Sequence, residues 1–228
     1  MKRMVLLSAV LPFAACGQPS SAVSHTKVFS EMMHSGADRT KEPKTALRPQ
    51  DTATFAAGCF WCVDAQFRQL KGVEKVVSGF TGGTVPDPTY EQVCTGTTGH
   101  AEACNIIYDP SVISYDELLA AFFVAHDPTQ LNRQGNDVGT QYRSAIFYHD
   151  AEQKRLADYY IDKLNHSGAY PRPIVTQVAP YTVLYKAEGY HQDYYAKNGN
   201  VSYCRFVIKP KLDKFERGCK EKMKYARG

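Results

Sequence analysis

The sequence predicts an α+β fold, an α/β sandwich in which a mixed β-sheet is flanked by helices inside a single compact domain, with an irregular C-terminal tail. Three features point there. From about residue 51 onward, β-branched and alternating apolar stretches take turns with amphipathic ones. Two of the amphipathic stretches open on capping signals, Ser114-Tyr115-Asp116-Glu117 and Asp150. The 228 residues suit one domain with a sizeable core plus some length outside it.

An apolar strand from Ala53 to Ala57 runs into a helix of roughly Val63 to Leu70, with Gly58 permitting a tight turn between them. Val73 to Thr81 has strand character and stops at Gly82-Gly83, and Val85 to Thr98 is loop-like. Ala101 to Tyr108 alternates as a strand, the capped helix beginning at Ser114 extends to about Ala125, and Asp127-Pro128 ends it. A polar loop passes through Arg133, Gln134, Gly135, Asn136 and Asp137. Ser144 to Tyr148 is a strand, Ala151 to Asn165 a helix, and Ile174 to Ala179 another strand. The remainder, rich in Tyr and Lys, reads as irregular with short helices. These signals leave the strand order open.

Ahead of the domain, Lys2 and Arg3 precede the apolar run Met4 to Ala15, too short to span a bilayer and typical of an export signal. Phe13-Ala14-Ala15-Cys16 resembles a bacterial lipoprotein cleavage box, so residues 1–16 read as a signal peptide with Cys16 acylated, and simple secretion is the alternative. Residues 17–50 are polar and without period, a flexible tether to a domain at 51–228. This places the protein outside the cytoplasm, periplasmic or membrane-anchored, touching a membrane only through that anchor. The net charge of +4 is too small for nucleic-acid binding, and much of it lies in the Lys- and Arg-rich last stretch, read as a solvated basic tail.

The chemistry concentrates in Gly58-Cys59-Phe60-Trp61-Cys62. Cys59 stands where a helix begins, and the free N–H groups and positive dipole end there favour thiolate over thiol. Phe60 and Trp61, the chain's only tryptophan, supply an apolar pocket. Setting Cys16 aside leaves six cysteines, Cys59, Cys62, Cys94, Cys104, Cys204 and Cys219; a chain of this size needs no disulfide staples, so at least one is redox-active. Acyl transfer would call on a histidine base, from His100, His126 or His191. Sulfur chemistry instead asks for an acid, and Glu102, in the apolar setting of Ala101, Ala103 and Ile106, has the environment that keeps a carboxyl protonated. Tyr90 and Tyr142 are candidate hydrogen-bond donors to the same oxygen.

Gly58-Cys59-Phe60-Trp61-Cys62, Pro88-Thr89-Tyr90, Gly99-His100-Ala101-Glu102, the run from Asn132 through Asp137 and Gln141-Tyr142-Arg143 to Ser144, and Ala187-Glu188-Gly189-Tyr190-His191-Gln192 together resemble the A-type peptide methionine sulfoxide reductases, over about residues 53 to 204. The resemblance implies that Cys59 attacks the sulfur of a methionine sulfoxide while Glu102 protonates its oxygen, assisted by Tyr90 and Tyr142. Phe60 and Trp61 would hold the S-methyl group of the S epimer, and Asp137 would orient the site. Cys59 would become a sulfenic acid and condense with a resolving thiol. Cys204 resembles the family's C-terminal resolving position; Cys62 is the alternative, and Cys219 a further relay. Thioredoxin or a thioredoxin-like dithiol would complete the cycle, with no metal or organic cofactor. Phe80 and Asp64 are mild departures from the family pattern. Two rival readings compete. A thioredoxin-like disulfide exchanger would use Cys59 and Cys62 but leaves Glu102 and Tyr90 without a role, and a zinc or purely structural module lacks a second closely spaced ligand pair.

Overall fold

The computed structural model describes residues 50–224; the expected signal peptide, Cys16 and the tether up to residue 49 lie outside the described residues. The central strand is β1 (Asp51–Ala57), buried on both sides along most of its length. It pairs antiparallel with β3 (Ala101–Tyr108) and with β6 (Ser144–Tyr148). On the β3 side follow β2 (Val73–Thr81) and then β8 (Tyr185–Lys186), both antiparallel to their neighbours. On the other side β7 (Gln177–Pro180) joins β6 in parallel. The sheet of six strands therefore has the order β7-β6-β1-β3-β2-β8 and is mixed. The parallel step needs a crossover, supplied by α4 (Ala151–Ser167), which Asp150 caps through the Gln153 N–H and Gly168 closes at φ 70°.

Strand alternation sorts the two faces. On one, Phe55, Phe80, Cys104, Ile106 and Ile146 join the main core with α1 (Phe60–Phe67) and α3 (Tyr115–Ala125). On the other, Ala56, Ala101, Ala103, Ala145 and Phe147 are covered by Ala179, Tyr181 and Leu184. Phe55 sits at the centre of the helical side, its ring 5.7 Å from Phe67, 6.0 Å from Tyr115 and 5.0 Å from Phe122.

Several boundaries differ from expectation for identifiable reasons. The first helix starts three residues early, at Phe60, because its N-cap Cys59 offers no side-chain capping bond for a sequence reading to find. The loop expected at 85–98 contains α2 (Tyr90–Cys94), opened by a complete capping box between Thr89 and Gln92. The polar loop at 133–137 is the hairpin β4 (Arg133–Gln134) and β5 (Asp137–Val138). The seventh strand is slid to Gln177–Pro180.

The tail departs furthest. Beyond α5 (Tyr194–Asn198) the chain makes a π-helical turn, Cys204–Ile208, that runs straight into α6 (Lys209–Gly218). Ile208, Leu212, Phe215 and Cys219 recur at helical spacing and are buried. The lysines between them obscured that stripe, and the lysines beyond it are not a purely solvated face. The Lys222 ammonium lies 2.5 Å from Glu117, and Lys224 donates to the Val73 carbonyl at 2.7 Å. Backbone bonds from Lys71 to Lys222 and from Lys224 to Gln69 clasp the tail to the β1–β2 connection.

Replacing Phe55 with Ala removes the ring on which both helices pack. The expected loss is about 3–5 kcal/mol of stability, read as a lower urea midpoint at unchanged slope; a loss below about 1 kcal/mol would show that α1 and α3 pack independently of it.

Candidate active site

β1 ends at Ala57, and the chain reverses through Gly58 at φ 88°. A Cβ at that position would stand 2.6 Å from Cβ of Gln134, so only glycine fits under the β4 strand. Gln134 is itself pinned, accepting from the Asp127 N–H at 3.2 Å and donating to the Asp127 carbonyl at 3.0 Å. The turn delivers Cys59 to the N-cap of α1, where its carbonyl, not its sulfur, takes the N–H of Cys62 at 3.0 Å.

The neighbouring strand β3 presents Glu102 to the same helix start. Its Oε2 accepts the Phe60 backbone N–H at 3.0 Å, and the side chain is 1% exposed. Burial holds the carboxyl well above the ordinary glutamate range, the charge of a nearby Cys59 thiolate and of Asp137 would push further the same way, and the Phe60 bond opposes them. The apolar surroundings are not quite those expected. Ala101 and Ala103 point to the opposite face of the sheet, while Phe80 pairs with Glu102 in register and Cys104 and Ile106 share its side.

All six cysteines of the described chain are free. The Cys59 thiol lies beside the Cys62 thiol and the Tyr203 hydroxyl, whose own proton goes to Asp137. Burial raises it well above an ordinary thiol, with Cys62 adding to the effect and Tyr203 and the Trp61 N–H opposing it. At this helix start, burial therefore works against the thiolate that the dipole favours. Cys62 goes the other way, lowered first by its bond from Cys59 and then by Lys211, whose ammonium lies 3.8 Å from the Cys62 sulfur. Cys204 is buried on the π turn and raised by burial and then by the charge of Cys59. Cys219 is pushed up to about 12 by burial alone; it caps α6 beside Gly218, which lies against Val124 of α3. Cys104 is sealed beneath Ser78 and the Phe60 carbonyl, and Cys94 is exposed.

Phe60 is buried among Phe80, Tyr90 and His191, with ring centroids 5.7, 6.4 and 5.1 Å away. Trp61 is half-buried, stacked on Tyr194 at 3.7 Å and 6°, with Tyr203 edge-on at 5.6 Å. Its indole N–H donates to His191 Nδ1 at 3.0 Å, which leaves the imidazole proton on Nε2, facing Glu188 at 3.7 Å. His191 is therefore a support for Trp61. His100 and His126 spend their ring nitrogens elsewhere, on the Val85 carbonyl and Gly83 N–H and on the Phe122 carbonyl and Ser144 hydroxyl. Tyr90 opens α2, its N–H held by Glu188 at 3.0 Å, and Tyr142 closes a 3-10 turn at Thr140–Tyr142. Both hydroxyls are raised by burial and lie near enough to Glu102 to be raised by its charge as well. Asp137 accepts from the Tyr203 hydroxyl at 3.2 Å and stands 4.0 Å from the Lys211 ammonium.

Cys59, Phe60, Trp61, Cys62, Tyr90, Glu102, Asp137 and Tyr142 are thus brought together. Tyr203, Lys211 and Tyr194 were missed by sequence reasoning. Tyr203 directly precedes a cysteine already singled out, and Lys211 stands one residue before the buried Leu212. Among the described residues no group of three or more His, Cys, Asp or Glu side chains is arranged to hold a metal ion.

Residues 51–224 match the family model described as peptide methionine sulfoxide reductase. The peptide methionine sulfoxide reductase MsrA of Thermus thermophilus is 54% identical over 172 residues, 75% of this chain and 97% of its own length. That of Nautilia profundicola is 56% identical over 163 residues, 72% of this chain and 92% of its own. Among solved structures, reduced Mxr1 from Saccharomyces cerevisiae superposes with a TM-score of 0.64 at 32% identity, covering 71% of this chain and 93% of that one. Methionine sulfoxide reductase A of Corynebacterium diphtheriae does so with 0.61 at 34%, covering 74% and 95%.

The raised Glu102 carboxyl has a consequence for stability. Below the ordinary value of 4.5, folded and unfolded chains both carry its proton. Above it the unfolded chain releases the proton and the folded one keeps it, so stability falls as pH climbs toward the folded value. Glu102→Gln keeps an acceptor for the Phe60 N–H and cannot ionise. Its melting temperature should exceed the parent's at about pH 8 and converge with it near pH 4; parallel curves would mean that Glu102 is ionised in the fold.

Proposed function

The chain belongs to the peptide methionine sulfoxide reductase family, whose A-type members it matches over nearly their whole length, and we propose that it reduces methionine S-sulfoxide, free or in oxidised proteins and peptides, with Cys59 as nucleophile and Glu102 as acid. One observation carries the assignment: the N–H of Phe60, next to Cys59, is bonded to a buried Glu102 whose carboxyl burial pushes well above the ordinary glutamate range. A proton and a nucleophilic sulfur therefore meet at one helix start, beside an aromatic wall.

A sulfoxide is a small dipole with an apolar methyl. Phe60 and Trp61 receive the methyl, and the hydroxyls of Tyr90 and Tyr142 and the Glu102 proton receive the oxygen. Once Cys59 loses its proton, its sulfur attacks the sulfoxide sulfur as Glu102 protonates the oxygen. The hydroxyl passes to Cys59 and the thioether leaves, so two electrons move from Cys59 to methionine and Cys59 becomes a sulfenic acid. Asp137 orients the site through Tyr203.

Cys62 is the first resolving thiol in this reading. It lies within one helical turn of Cys59, whose carbonyl takes the Cys62 N–H at 3.0 Å, a spacing compatible with a disulfide. Cys204, close enough to respond to the Cys59 charge, is the second thiol, and the more remote Cys219 a later relay. A thioredoxin-like dithiol then reopens the disulfide. At the N-terminus, the run from Lys2 to Ala15 ahead of Cys16 supports export with a lipid anchor; the mature N-terminal peptide should carry an acylated Cys16 by mass spectrometry, and an unmodified peptide starting elsewhere would refute the anchor.

The deciding experiment is a single turnover with separated S and R epimers of a blocked methionine sulfoxide. Methionine should come from the S epimer alone, vanish with Cys59→Ser and slow by about 10²- to 10⁴-fold with Glu102→Gln. Release at the parental rate from Glu102→Gln would remove Glu102 as the acid.

A further inference from the structure

We propose that Lys211 is a catalytic residue of the disulfide-forming step, holding Cys62 as the thiolate that attacks oxidised Cys59. This rests on the reading of Cys62 as the first resolving thiol. Lys211 belongs to none of the motifs that mark the site. It reaches the site from α6, a helix packed against α1, through a side chain that is only 28% exposed. Its ammonium lies 3.8 Å from the Cys62 sulfur and 4.0 Å from the Asp137 carboxylate.

The groups facing Cys62 fall on both sides of the balance. Glu102 on β3 and Asp137 on β5 oppose a negative charge on Cys62, and burial does the same. Cys59 stabilises the charge only while it has a thiol proton to donate. Conversion to the sulfenic acid replaces that S–H, just when Cys62 must act. Lys211 is the cation 3.8 Å from the sulfur, and at this distance beside a buried thiol an opposite charge favours the thiolate.

The step balances as follows. Cys62 gives up its thiol proton, the thiolate attacks the Cys59 sulfur, the S–S bond forms and the Cys59 S–O bond breaks. The departing hydroxide takes up one proton and leaves as water. No outside oxidant is needed, because the sulfoxide has already oxidised Cys59 by two electrons.

The test uses the full chain, reduced and then mixed with one equivalent of the S sulfoxide. Methionine release and loss of the second thiol are followed separately between pH 6 and 9. In Lys211→Met, disulfide closure near pH 7 should slow by about tenfold, and the midpoint of its pH profile should move upward. Methionine release should fall less than closure, and dimedone should trap sulfenic acid that the parent does not accumulate. Lys211→Arg, which keeps the charge and guards against a folding defect, should restore most of the closure rate. Closure at the parental rate and pH midpoint in Lys211→Met would overturn the proposal. Cys62→Ser closing a disulfide as fast as the parent would instead overturn the reading beneath it, and the two failures are told apart by which variant leaves closure untouched.

Discussion

The bond from the Phe60 N–H to the Glu102 carboxyl is the contact on which the site turns. A helix begins with N–H groups that have no partner within the helix, and here one of them is satisfied by a side chain from the adjacent strand. The same bond locks α1 to β3 and spaces the nucleophile from the acid. It also sets a charge problem, since a buried carboxyl and a buried thiol this close cannot both ionise cheaply. Gly58 is the backbone half of the arrangement. With any side chain there, the turn would collide with Gln134, and the helix could not start where Glu102 waits.

The solution to the charge problem is neutrality at rest. Cys59 and Glu102 are both raised by burial, and the charge of a Cys59 thiolate would raise Glu102 further. Cys62 is the thiol shifted the other way, with the Lys211 ammonium 3.8 Å from its sulfur. Two thiols three residues apart thus have opposite electrostatic settings, one shielded until an oxygen acceptor arrives and one held ready. The aromatic wall serves the same economy. Trp61 is fixed on three sides, by the stacked Tyr194, the edge of Tyr203 and the hydrogen bond to His191. Little rotamer freedom is left to lose when a methyl group binds against it.

Five of the six sheet strands and the helices at 115–125 and 151–167 were legible because alternation and side-chain caps are local signals, written in Ser114, Glu117 and Asp150, whereas the two-residue β8 is too short to alternate. The start of α1 was not, because Cys59 caps it without a side-chain bond. The strand order was not either, since pairing across more than forty residues, as between β1 and β3, leaves no trace in local pattern. Within the site, Cys59 and Glu102 were legible as unusual chemistry in apolar settings, although the alanines taken as Glu102's neighbours line the other face of the sheet. The state of the Cys59 thiol was misjudged because the dipole can be read from a helix start, whereas burial can be read only from what covers it. Tyr203 and Lys211 stayed hidden for the same reason. Each is one tyrosine or one lysine among many until the tail is seen folded over α1.

That folded-over tail has a consequence for synthesis. β1, Cys59 and Cys62 leave the ribosome early, and Glu102 follows about forty residues later, whereas Tyr203 and Lys211 emerge only after most of the chain is out. Until they emerge, the two thiols lack the phenol and ammonium that stand beside them in the finished fold. A nascent chain therefore holds its paired thiols before it holds the groups that flank them, and the complete site waits on the last helix to dock.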